Sequence, residues 1–188
     1  MRRALATIAV LLAFPASAFA HAQMSPPVVE SGKTQLFTLA VPTEKEGATT
    51  TQIALTPPDG FAIDSFVPAP GWQRKTEQTG SGEDVVFKQV TWSGGRVPTD
   101  EDATFQFLAR ADAAKTYTFN VRQTYSDGTV VDWSGPESSD TPAPSVEART
   151  SLGAAGNTLA TVAFVIAIVA LVCGAVALLL RVGGRELA

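Results

Sequence analysis

"KTYTFNVRQTYSDGTVVDW" (115–133) decides the fold of this 188-residue chain. Tyr117, Phe119 and Val121 alternate with Thr118, Asn120 and Arg122, the period of a strand with one buried and one wet face. Ser126-Asp127-Gly128 then gives turn chemistry, and "TVVDW" (129–133) resumes an extended pattern, so the stretch reads as a β-hairpin. A helix would repeat its apolar residues every three to four positions, and no part of 21–150 does so.

The same pattern extends outward. "KTQLFTLAV" (33–41), "TTQIAL" (50–55), "FAIDSFVP" (61–68), "VVFKQVTW" (85–92) and "ATFQFLAR" (103–110) are rich in β-branched and aromatic residues, with Phe105 and Phe107 on one face. "PPDG" (57–60), "PAPG" (68–71), "TGSG" (79–82), "SGG" (93–95) and "PTDED" (98–102) separate them as turns. Seven or eight short strands at this spacing predict an all-β, antiparallel β-sandwich over 21–135. "SGPESSDTPAPSVEARTS" (134–151) is polar, carries Pro and Ser and has no period, so residues 136–157 read as a flexible stalk.

The two ends read as targeting segments. Met1-Arg2-Arg3 is a basic start, Ala4 to Phe14 is a short apolar run, and Ala18-Phe19-Ala20 has the form of a cleavage site. Residues 1–20 are expected to be a signal peptide, with His21 the first residue after cleavage; a cut after Ala18 is the alternative. Leu159 to Leu180 is an uncharged run of 22 residues. With Arg181 and Arg185 following, 158–180 reads as a transmembrane helix and 181–188 as a cytoplasmic tail. The expected placement is at the cell membrane as a single-pass type I protein, with the β domain on the extracytoplasmic side.

Composition narrows the function. Residues 21–150 hold 10 Lys and Arg against 17 Asp and Glu, a net charge of −7, which argues against nucleic acid as a partner. Cys173 lies in the apolar run, so the β domain has neither a disulfide nor a thiolate metal site. The single histidine excludes a buried His₂Cys copper cage. It also leaves an oxidative copper enzyme with a histidine brace one imidazole short. Acidic groups such as Asp100-Glu101-Asp102 lie in turns and lack EF-hand spacing.

His21 carries the chemistry. As a first residue it offers the α-amine and the ring Nδ1 to one ion, a nitrogen pair suited to Cu(II). The other account is a leftover histidine on a free end. Glu30 is the nearest acidic residue in the chain, either an oxygen ligand or an edge charge. Met24 is either a thioether donor or packing. Trp133 follows a hairpin, and its ring either covers a cation or packs in the core.

"HAQMSPPVVESG", "VPTEKEGATTTQIAL", "PAPGW", "QVTWSG" and "YSDGTVVDWSGPESSDTPAP" together resemble the YcnI-like domain of bacterial copper proteins, from His21 to about Pro144. The resemblance implies a cupredoxin-like or immunoglobulin-like sandwich that holds one Cu(II) through a monohistidine brace. His21 matches the brace histidine, Trp133 the tryptophan beside the metal, and Glu30 falls near an early acidic residue. It further implies a role in copper acquisition, trafficking or delivery, with a membrane copper transporter or another copper chaperone as partner. A β-sandwich that recognises another protein and binds no metal is the alternative.

Overall fold

The computed structural model describes residues 21–82, 85–153 and 158–183. The expected signal peptide (1–20), part of the expected stalk (154–157) and most of the expected cytoplasmic tail (184–188) lie outside the described residues.

Among the described residues twelve strands form: β1 (Gln23–Ser25), β2 (Val28–Glu30), β3 (Thr34–Pro42), β4 (Thr50–Thr56), β5 (Phe61–Phe66), β6 (Gln73–Thr79), β7 (Val86–Val97), β8 (Asp102–Ala111), β9 (Thr116–Thr118), β10 (Asn120–Tyr125), β11 (Val130–Trp133) and β12 (Ser145–Arg149). They make a four-stranded sheet β1-β3-β8-β5, a five-stranded sheet β11-β10-β4-β7-β6, and a three-stranded sheet β2-β12-β9. All pairings are antiparallel except β2 with β12. The expected all-β sandwich is therefore present.

Its core follows from the alternation. On β8, Ala103, Phe105, Phe107 and Ala109 are buried while Thr104, Gln106 and Leu108 are not. Phe37, Leu39 and Val41 do the same on β3, and Ile53, Leu55, Val90 and Trp92 face them from the larger sheet. Phe105 stacks on Trp92 with ring centroids 4.3 Å apart and meets the edge of Trp72 at 4.9 Å. Offset and edge contacts of this kind add to the area buried, by about 0.5–1.5 kcal/mol per pair.

Several expectations are corrected. "KTYTFNVRQTY" is not one strand: the chain leaves β9 in the small sheet, passes through Phe119 and enters β10 in the five-stranded sheet. "SGG" (93–95) is not a turn but lies within β7. There the register jumps, with Thr50 opposite Val97 and Gln52 opposite Ser93, and Gly94 adopts a φ of 90°. The extra residues form a bulge, which a glycine at positive φ accommodates. The expected stalk is folded up to Arg149. Val146 and Ala148 of β12 point into the core, and the strand is wedged between β2 and β9.

The expected C-terminal helix forms as α1 (Thr158–Gly183). Among the described residues, however, no helix is long and apolar enough to cross a membrane. The spanning segment is corrected on this ground. With it go the single-pass anchor as a partner, the type I topology and the cell-membrane placement that depended on it. The chain divides into a unit ending at Thr150 and a second from Ser151 onward; the site described next belongs wholly to the first.

Candidate metal site

His21 lies two residues before β1, which runs along the edge of β3 with Gln23 opposite Ala40. Ala22 and Met24 turn inward and are buried, so the segment is seated on the core and His21 is half-buried above it. Met24 is thus packing, and its thioether belongs to the core cluster.

Three pieces of chain meet beside His21: the approach to β1, Thr116 and Thr118 of β9, and the segment from Gly135 to Ser145. Together they wall an open groove of about 570 Å³. Of the described residues lining it, only His21 and Glu137 are ionisable; the rest include Thr116, Thr118, Ser145 and four prolines, Pro27, Pro136, Pro142 and Pro144. Prolines carry no N–H, so those four positions offer an anion no backbone donor. Among the described residues no lysine or arginine lines the groove. Its chemistry suits a cation.

The segment that carries Glu137 is held in one shape. Gly135 N–H donates to the Thr141 carbonyl at 3.0 Å, and Ala143 N–H donates to the Gly135 carbonyl at 2.9 Å. Ser139 closes a turn over Glu137, giving both its N–H (2.9 Å) and its hydroxyl (2.8 Å) to the Pro136 carbonyl. A side chain on residue 135 would not fit: a Cβ there would stand 2.3 Å from Ser139 Oγ. The loop is then carried into β12 as Phe119 N–H donates to the Pro144 carbonyl at 2.9 Å.

The other two expected site residues lie elsewhere. The Glu30 carbonyl receives Gln35 Nε2 at 3.4 Å, so Glu30 sits at the start of β3, whereas β1 pairs nearer its end. Five residues separate Gln35 from Ala40, roughly 17 Å at 3.3 Å per residue. Glu30 does not line the His21 groove. Trp133 does not either: it is 1% exposed and its indole N–H is given to Gln123 Oε1 at 2.9 Å. It stands two residues before Gly135 and anchors the end of β11, from which the groove-lining loop departs. Among the described residues no group of three or more His, Cys, Asp or Glu side chains is placed to hold a metal ion.

Glu137 was hidden in the sequence because its neighbourhood reads as a polar stalk. Only the return of β12 to the sheet brings residues 135–145 beside His21, more than a hundred positions away. The nearest acid on β12, Glu147, is already bound: Arg149 donates two hydrogen bonds to it at 2.9 Å and holds its carboxyl below the ordinary range.

Similar proteins agree with this architecture. An uncharacterized protein from Nocardia farcinica, whose crystal structure has an immunoglobulin-like fold, superposes with a TM-score of 0.59 at 28% identity, over 69% of this chain and 99% of its own. The sandwich is accordingly immunoglobulin-like, which corrects the cupredoxin-like part of the expectation. The copper-binding protein CutI of Bacillus subtilis (strain 168) is 32% identical over 140 residues, 73% of this chain. The match spans 66% of that relative's own length, slightly under two thirds. The profile of the domain of unknown function DUF1775 matches residues 21–148, from the groove histidine to the penultimate residue of β12. The chain belongs to the DUF1775 family and is related to a bacterial copper-binding protein.

Proposed function

We propose that this protein binds one Cu(II) ion at His21 and serves in copper acquisition, trafficking or delivery. The observation that carries the reading is the position of His21, half-buried at the rim of a groove that has no cationic side chain among the described residues. The relationship to a protein named as copper-binding supports it.

Removal of residues 1–20 would leave the His21 α-amine beside its own imidazole. The two nitrogens close a chelate on one ion, and both shed their protons near neutral pH when a metal competes for them. A site of this kind holds copper with few protein ligands in an open groove, which suits an ion that is also to be passed on. It does not suit redox catalysis of the histidine-brace type, which takes a second imidazole, and His21 is the only histidine. Trp133 supports the site through the strand end it anchors rather than by touching the metal.

The test is a Cu(II) titration, with EPR, of the chain beginning at His21 against the same chain with one residue added in front. Tight binding of one equivalent only by the chain with the free amine is expected. Equal binding by both, or none by either, overturns the brace and favours a β-sandwich that recognises another protein.

A further inference from the structure

We propose that Glu137 supplies the carboxylate oxygen that completes the copper site, an inference that rests on the reading of His21 given above. Three observations point to it. Among the described residues Glu137 is the only acidic one lining the groove, and His21 the only other ionisable one. Its side chain is exposed and has no hydrogen bond or ion pair among the described residues. It stands on a turn pinned by Ser139 and Gly135, so little ordering is left to be done when an ion arrives.

The chemistry is consistent. A brace would give Cu(II) two neutral nitrogens in one chelate ring; a carboxylate would add an oxygen donor and offset one of the ion's two positive charges, with water free to take the remaining positions. Asp140 lies in the same loop but does not line the groove, and Glu147 is held by Arg149. Glu30 is at the far end of β3. Of the acidic residues of this loop and of β12, Glu137 alone lines the groove, and it has no hydrogen-bond or ion-pair partner among the described residues.

The experiment compares the chain beginning at His21 with its Glu137→Gln, Glu137→His and Asp140→Asn variants, by CuCl₂ titration against a competing chelator and by EPR. Near-UV circular dichroism of the tryptophans checks that each is folded. Glu137→Gln should weaken Cu(II) binding at least about tenfold and change the copper hyperfine splitting. Glu137→His should restore binding and add a third nitrogen to the superhyperfine pattern, a signature that a merely structural residue does not produce. Asp140→Asn, the same change of charge in the same loop, should bind like the unsubstituted chain.

Unchanged affinity and spectrum in Glu137→Gln would overturn the assignment while leaving the His21 brace standing. Equal weakening by Asp140→Asn would also overturn it, by showing a general charge effect. If the unsubstituted chain bound no Cu(II), or bound it equally with a residue added before His21, the copper reading would fall first and this assignment with it.

Discussion

Trp133 donates its indole N–H to Gln123 Oε1 at 2.9 Å, and both side chains are fully buried. The amide of Gln123 spends its own donors on the Pro42 carbonyl (2.8 Å) and on Thr50 Oγ1 (2.7 Å), and Thr50 shares a hydrogen bond with Thr43 at 2.7 Å. The network ties β10, β11, β4 and the end of β3 together with no buried side-chain polar atom left unpaired among the described residues. A polar group in the core is tolerable only on those terms.

Gln123→Leu keeps the volume but strands the Trp133 N–H and the Pro42 carbonyl. Each orphaned group costs about 1–3 kcal/mol, so a loss of about 2–4 kcal/mol in unfolding free energy is expected. Urea unfolding followed by tryptophan fluorescence measures it. A change below about 0.5 kcal/mol, the range of surface substitutions, would mean that the network contributes no net stability.

Gly95 and Trp72 form a second tight relationship. A Cβ on residue 95 would lie 2.1 Å from Trp72 Cζ2, so the indole covers the bare backbone of β7 while its edge meets Phe105. Gly95→Ala must therefore push the ring outward, and overpacking of this kind costs about 1–3 kcal/mol. The accompanying sign is a red shift of tryptophan emission. If Gly95→Ala folded with unchanged stability and emission, the close approach would be relieved by a small backbone shift instead.

The turn between β10 and β11 carries a pH-dependent tie. Lys45 bonds the Asp127 carboxylate, and the Thr129 N–H adds a hydrogen bond at 3.0 Å. Chiefly through Lys45, the Asp127 carboxyl is brought from its ordinary 3.8 down to about 2. A folded-state value below the unfolded one contributes stability that is fully present above pH 3.8 and is lost as the pH falls toward 2. Thermal unfolding of the unsubstituted chain and of Lys45→Met should differ at about pH 5, and that difference should close between about pH 4 and pH 2. A constant difference across that window would show that Asp127 is not the group responsible.

How much of this was legible in the sequence depends on how each element is held. β3, β4, β5, β8 and β10 announce themselves because a large apolar side chain falls at every second position and has one core to face. β6, "QRKTEQT", does not: it is an outer strand whose residues are nearly all exposed, so pairing with β7 holds it and hydrophobic burial does not. β12 shows only Val146 and Ala148 to the core, too few for a period to emerge from a polar surrounding. Gln123 was a signal in plain sight, a polar residue on the inward side of a strand that otherwise buries Val121 and Tyr125.

By itself the sequence determined the class of fold and singled out His21, because alternation and a lone imidazole after Ala18-Phe19-Ala20 are local properties. Tertiary structure decided what surrounds that histidine. Glu30, near in sequence, is carried off along β3, because successive residues of an extended chain move apart by about 3.3 Å each. Trp133 is drawn into the core by its ring area and the partner its N–H finds in Gln123. Glu137 arrives because β12 closes the small sheet between β2 and β9, a long-range pairing for which the residues around Glu137 carry no mark.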